Sequence, residues 1–213
     1  MDPSPAPWSV VVPVKRPELA KTRLRTLAGP YRAELARAIA ADTVAAATRA
    51  REVGEVVAVT DDEATTEELR ALGAVVAADD PGDGLNPALR HGAAVALARR
   101  PGAPVAALSA DLPALRPDEL DVALRAARHH PVSFVADVAG TGTTLYAAVD
   151  ALRFTPEFGP RSRAAHRAAG AAELDLPGVP SVRRDVDTPV DLWDAIRLGT
   201  GPRTARVAGL LPR

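Results

Sequence analysis

Apolar residues fall into two patterns along this chain: short unbroken runs, and longer segments in which they recur every three or four positions. Residues 8–14 (WSVVVPV) form the first unbroken run, which suits a strand buried on both faces. Runs at 55–60, 74–78 and 104–109 predict three more strands, and helical spacing predicts helices over 30–50, 61–72, 86–100 and 117–128. Pro30 falls near a first turn, where its missing N–H leaves nothing unpaired, and Pro101 stops the helix before it. This βαβαβαβ order predicts an α/β fold, a mostly parallel sheet flanked by helices on both faces.

The second half is less regular. Strands over 133–137, 144–149 and 182–186, with helices over 161–169 and 189–198, predict antiparallel pieces at one edge of the sheet. No repeat and no linker breaks the pattern, so a single domain is expected over 8–199, with 1–7 and 200–213 as flexible tails. In open sheets of this kind ligands bind beyond the C-terminal strand ends, where Lys15, Asp61, Asp83 and Asp111 fall.

Composition narrows the function classes. The chain has 213 residues, 47% of them hydrophobic, which is enough for a buried core. A net charge of −1 speaks against nucleic acid held on a broad basic surface. The absence of cysteine excludes disulfides, thiolate catalysis and Cys-based zinc sites. No apolar run reaches the roughly 20 residues of a membrane span, and the Pro-rich start lacks a signal-peptide core, so a cytoplasmic protein is expected. His91, His129, His130 and His166 have no metal-ligand spacing, and no G-x-S-x-G elbow marks a serine nucleophile.

Four constellations could carry chemistry. Lys15, Lys21 and Arg23 fall in the loop after the first strand, where Lys point charges and an Arg fork suit a triphosphate. The loop is neither a P-loop nor a dinucleotide fingerprint, and a solvated basic loop before a helix is equally ordinary. Asp111, in Ser109-Ala110-Asp111-Leu112-Pro113, ends a buried strand and offers a hard oxygen ligand for Mg²⁺, or else initiates a turn. Asp185 and Asp187 would project on one side of a 182–186 strand, as like charges that need solvent or a cation between them. Thr188-Pro189-Val190-Asp191 reads as an N-cap, a Pro at N1 and an acid at N3, which leaves Asp185 and Asp187 unexplained. Finally, the turn Gly140-Thr141-Gly142-Thr143 offers backbone N–H groups, and Gly159 and Ser162 open a helix; both suit an anion, or are simply a turn and a cap.

Taken in order, these pieces resemble one family. Val12-Pro13-Val14-Lys15 with Lys21-Thr22-Arg23-Leu24, Gly84-Leu85-Asn86, Asp111-Leu112-Pro113, Phe134-Val135-Ala136-Asp137 with Gly140-Thr141-Gly142-Thr143, Phe158-Gly159-Pro160 with Ser162, and Asp185-Val186-Asp187-Thr188-Pro189 look like the 2-phospho-L-lactate / phosphoenolpyruvate guanylyltransferases (CofC and FbiD) of coenzyme F-420 biosynthesis. The resemblance runs from about 8 to 198. It implies a nucleotide-diphospho-sugar transferase (GT-A)-like nucleotidyltransferase fold. It also implies transfer of GMP from GTP to the phosphate of a three-carbon acid, with release of pyrophosphate. In the bacterial branch the acceptor is phosphoenolpyruvate and the product enolpyruvoyl-2-diphospho-5'-guanosine. By match to the family motif, Thr144, Gly159 and Ser162 would hold the acceptor. Asp111, Asp185 and Asp187 would hold two Mg²⁺ ions, and Lys15, Lys21 and Arg23 would sit at the triphosphate with Asn86 on the nucleotide side. Lys15, Lys21 and Asp111 would be the catalytic residues.

The partners so implied are small molecules, with neither nucleic acid nor membrane, and a homodimer is compatible with the sequence. A phosphate monoester, with a second pKa of about 6, is already largely dianionic at neutral pH, so no general base is required. Three alternatives stay open. The acceptor could be 2-phospho-L-lactate or 3-phosphoglycerate. The enzyme could make molybdopterin-GMP or a CDP-linked precursor, although a Gly-rich loop is then expected where Lys15-Arg16-Pro17 stands. A non-catalytic α/β ligand-binding module would account for Asp61-Asp62 but not for Asp185 and Asp187.

Overall fold

The computed structural model describes residues 6–79 and 84–212, and Asp83 lies outside them. Strands β1 (Trp8–Pro13), β2 (Val53–Val59), β3 (Val75–Ala77), β4 (Val105–Leu108), β5 (Val132–Ala136), β6 (Thr143–Ala148) and β7 (Ala172–Glu173) form a seven-stranded sheet of order β3-β2-β1-β4-β6-β5-β7. It is flanked by helices α1 (Arg25–Ala28), α2 (Arg32–Ala47), α3 (Glu63–Ala71), α4 (Leu85–Arg99), α5 (Pro117–Ala127), α6 (Ser162–Ala168), α7 (Pro180–Arg183), α8 (Pro189–Leu198) and α9 (Pro202–Ala208). β6 runs antiparallel to β4 and β5, and the other pairings are parallel. The reversed strand was expected at an edge; it lies inside the sheet. β5 and β6 form a hairpin, so their pairing must be antiparallel, and every β6 residue is buried, which suits an interior position.

Side-chain alternation divides the sheet between two cores. Val10, Val12, Val56, Ala58 and Leu108 point to one face, where Val44 of α2 and Leu120 and Leu124 of α5 pack on them. Val11, Val57, Val59, Val105 and Ala107 point to the other, against Leu89, Ala93 and Ala96 of α4. Small residues allow the close approach. A Cβ added to Gly92 of α4 would lie 2.5 Å from Val11 Cγ1 and 2.7 Å from Val59 Cγ2.

Two expectations need correction. Residues 182–186 are not a strand: the helical turn α7 ends at Arg183 and a stretch without regular structure follows. Pro180 presets the turn at its first position, the Val182 N–H bonds back to Val179 O, and the edge of β5 is already taken by β7. Of the expected flexible tail 200–213, the described part, 200–212, is not loose either. α9 packs on α2, with Thr204 and Val207 fully or nearly fully buried. Buried Asp42 of α2 accepts the Thr204 N–H at 2.7 Å and the Arg203 N–H at 3.3 Å, an anchor that a seven-residue helix with few apolar positions does not advertise. At the other end, Pro7 O accepts from Arg100 and Ala6 O from Arg128, each at 2.9 Å.

The Gly92 contact is open to test. Gly92→Ala should destabilise the protein by about 1–3 kcal/mol through overpacking, read as a lower denaturant midpoint at unchanged slope. A wild-type midpoint would show that α4 does not sit this close to the sheet.

Candidate active site

The C-terminal ends of β1 and β4 open into a cleft of about 310 Å³, lined among others by Lys15, Lys21, Asp111, Phe158 and Asp187. Three chain segments meet there. Lys21 lies in the loop after β1, Asp111 follows β4, and Asp187 follows α7. The Lys21 Nζ donates to Asp111 Oδ2 at 2.6 Å and to Asp187 Oδ1 at 3.1 Å. Burial works against the charged amine, but Asp111 and Asp187 outweigh it and hold its pKa above the ordinary lysine value. The Lys21 backbone is left-handed (φ 53°, ψ 40°), a conformation disfavoured for a residue with a Cβ and one that the surrounding loop must sustain.

Asp185 is also part of this acidic group, though not by strand alternation. Burial, and then the neighbouring carboxylates Asp111, Asp137 and Asp187, push its pKa up to about 7. The backbone ties the carboxylates together, since Val186 N–H donates to Asp111 O at 3.1 Å and Asp187 N–H to Asp191 Oδ2 at 3.2 Å. The capping box read from Thr188 and Asp191 is present and starts α8.

The remaining sequence candidates are placed differently from one another. Lys15 is exposed at the cleft. Arg23 is 74% exposed and reaches Asp187 at 3.9 Å. Asp61 faces Arg16 instead of the cleft centre, 2.8 Å away, and that guanidinium keeps its carboxyl below the usual range. Asn86, expected at the nucleotide, stands in the first turn of α4 with its carboxamide bonded in both directions to the Phe158 backbone. The turn 140–143 does not hold all its N–H groups free, because Asp137 accepts from Thr141 at 2.9 Å and from Gly142 at 2.8 Å. Thr144 is fully buried with its hydroxyl 3.5 Å from Val135 O, and Ser162 is 2% exposed. Gly159 is exposed, with φ +147° and open space where a Cβ would stand. Of the three acceptor candidates, then, Gly159 is open to solvent, and Thr144 and Ser162 lie beneath the surface.

Other residues emerge only in three dimensions. The Arg32 guanidinium on α2 donates to the carbonyls of Pro17 at 3.3 Å, Glu18 at 2.8 Å and Ala20, and so straps down the loop that carries Lys21. Thr43 of α2 accepts the Leu112 N–H at 3.0 Å, which fixes the backbone next to Asp111. Backbone carbonyls 12 to 15 positions away leave no trace in a residue pattern, so no sequence signal marks Arg32.

The family described as "Guanylyl transferase CofC like" matches residues 8–204. The chain is 60% identical over 205 residues to the phosphoenolpyruvate guanylyltransferase of Thermomonospora curvata, covering 96% of this chain and 90% of that protein. It is 56% identical to the protein of the same name from Streptomyces coelicolor, covering 96% and 97%. Among solved structures, a 4-diphosphocytidyl-2C-methyl-D-erythritol synthase superposes with a TM-score of 0.62 at 12% identity, over 91% of this chain and 99% of that one, and shows the nucleotidyltransferase fold.

The crowding at Asp185 has a measurable consequence. Its pKa is higher in the folded chain, about 7, than the ordinary 3.8, so the folded state binds the extra proton and stability falls as pH rises across that window. Asp185→Asn should remove this penalty, on the order of a few kcal/mol at pH 8. In metal-free buffer its melting temperature should exceed that of wild type at pH 8 by roughly 2–4 °C per kcal/mol, and by less at pH 5. A variant that melts below wild type at pH 8 would rule out the cost of burying and crowding the Asp185 charge.

Proposed function

We propose, from the premise that this chain belongs to the family of CofC-like guanylyl transferases, that it transfers GMP from GTP to phosphoenolpyruvate. The products are enolpyruvoyl-2-diphospho-5'-guanosine and pyrophosphate, a step of coenzyme F-420 biosynthesis. The observation that carries the reading is the Lys21 ammonium clasped by Asp111 and Asp187 in a cleft at the strand ends. That arrangement brings cationic and acidic groups together where a nucleoside triphosphate and a second phosphate would have to meet.

An oxygen of the acceptor phosphate attacks the α-phosphorus of GTP. A new P–O bond forms, the bond from the α-phosphorus to the bridging oxygen breaks, and pyrophosphate leaves with that oxygen. The acceptor is its own nucleophile, being largely dianionic above its second pKa of about 6. Lys15, Lys21 and Arg23 supply positive charge along the triphosphate and reduce the repulsion between two polyanions. Lys21 is poised to pass from the carboxylates to a phosphate oxygen. The acceptor is assigned to the side of Gly159, with Thr144 and Ser162 shaping that side from beneath.

The carboxylates suit Mg²⁺ by their chemistry. They are hard oxygen donors, and Asp185, its pKa raised first by burial, also feels the like charges of Asp111, Asp137 and Asp187. Among the described residues no three such side chains stand close enough to ligate one ion as they are, and Lys21 lies between two of them. Asp111, Asp185 and Asp187 would therefore hold the metal, two ions by the family pattern, as Lys21 withdraws. Bound there, Mg²⁺ supplies neutralisation of phosphate charge and polarisation of the α-phosphoryl group. GTP as substrate fits the cytoplasm, and among the described residues no helix is long and apolar enough to cross a membrane.

Pyrophosphate release with GTP and Mg²⁺ tests the reading. Phosphoenolpyruvate should give the highest kcat/KM among phosphoenolpyruvate, 2-phospho-L-lactate and 3-phosphoglycerate, and silence with all three would sink the proposal. Asp111→Asn should lose about a thousandfold in kcat, equivalent to several kcal/mol of charge stabilisation, with the fold intact. Retention of wild-type turnover would remove Asp111 from the mechanism.

A further inference from the structure

Two side chains on different helices hold adjacent residues of a segment that has no regular structure of its own. Residues 154–161 form neither helix nor strand. Within them the Phe158 N–H donates to Asn86 Oδ1 at 2.8 Å, and Asn86 Nδ2 donates to Phe158 O at 2.9 Å. One carboxamide therefore closes a ring on one residue 72 positions away. One position earlier, the Glu157 N–H donates to His166 Nε2 at 2.9 Å.

That second bond settles the histidine. Because Nε2 accepts, the neutral ring carries its proton on Nδ1 and donates it to Thr143 Oγ1, 2.9 Å away at the start of β6. His166 is fully buried, with the rings of Phe134, Tyr146 and Phe158 at centroid distances of 5.5, 4.6 and 5.6 Å. Burial keeps the ring neutral, with its pKa lowered to about 4. Both nitrogens are engaged, so it cannot serve as a base in the cleft.

The held segment is where the two halves of the site join. Phe158 lines the cleft with Lys21 and Asp111. The next residue is Gly159, with φ +147°, and Arg161, at φ 63°, turns the chain into α6. The bonds at 157 and 158 therefore set both the position of the cleft wall and the point at which the chain turns toward the acceptor side.

We propose that Asn86 and His166 are positioning residues for guanylyl transfer: from α4 and α6 they fix the backbone of Glu157 and Phe158, so that Phe158 walls the nucleotide cleft while Gly159 faces the acceptor. The proposal rests on the guanylyltransferase reading above. Asn86 then acts on the nucleotide through Phe158 and not by touching it. A wall without secondary structure must be ordered in advance, or substrate binding bears the cost of ordering it. That cost belongs in KM, because saturating substrate restores the wall.

The test is steady-state pyrophosphate release with GTP and phosphoenolpyruvate, well below the melting temperature. Asn86→Ala and His166→Leu should each raise KM for both substrates about tenfold, with kcat within about threefold of wild type. His166→Gln, whose side-chain oxygen can still accept the Glu157 N–H, should recover much of the loss. The double variant should raise KM by less than the product of the single effects, because both bonds serve one segment. Hydrogen exchange gives a readout independent of activity, and the Phe158 amide should exchange faster in Asn86→Ala. Should His166→Leu fail to fold, Asn86→Ala decides alone, since it removes neither His166 nor the Phe134 and Tyr146 rings packed on it. Variants that melt lower but keep wild-type KM values, or an Asn86→Ala protein with wild-type exchange at Phe158, overturn the proposal. A wild-type protein that transfers GMP to no acid sinks the guanylyltransferase reading instead, and leaves the exchange result to judge the clamp.

Discussion

The Lys21 ammonium sits between the carboxylates of Asp111 and Asp187, and the architecture of the site follows from having to make that contact. The three groups come from positions 90 and 166 apart in the chain, and like charges gathered at one end of a sheet repel unless something positive stands among them. Asp185 beside them has its pKa pushed up to about 7, first by burial and then by Asp111, Asp137 and Asp187. A partly buried ion cluster of this kind is poor as a source of stability, because desolvation offsets the attraction. On the proposed function its value would lie in holding charges ready for exchange, with Lys21 to move to phosphate and the carboxylates to accept a divalent cation.

One helix supports both signs of that charge. Near the start of α2, Arg32 grips the loop that leads to Lys21. Further along, Thr43 fixes the backbone beside Asp111 and Asp42 anchors α9. α2 is also packed into the core through Val44 and neighbouring alanines, so the loops take their positions from a rigid element. The opposite wall is built on the same plan. Asn86 and His166 project from helices and determine where an irregular segment lies.

Much of the fold was legible in the sequence because it is encoded locally. β1 has valines on both faces and α4 lies behind it, and unbroken apolar runs separated by helical spacing say as much. The α8 capping box was equally plain, since all its groups fall within four residues. Residues 182–186 misled because valine and alternating charge look like a strand, while the competing edge partner, β7, is only two residues long. α9 was missed for a related reason: its first turn is anchored on Asp42, 162 positions earlier than Thr204.

By itself the sequence determined the α/β class, the strand ends at which chemistry would gather, and, through its motifs, the family. Its periodicities report backbone geometry, and backbone geometry repeats every two or 3.6 residues. Tertiary structure alone decided what those residues do with one another. It bonded Asn86 to Phe158, engaged Asp137 with the 140–143 turn, buried Thr144 and Ser162, and closed Lys21 onto two aspartates. Hydrogen bonds and ion pairs act over about 3 Å, and only the folded chain brings groups from distant positions within that reach.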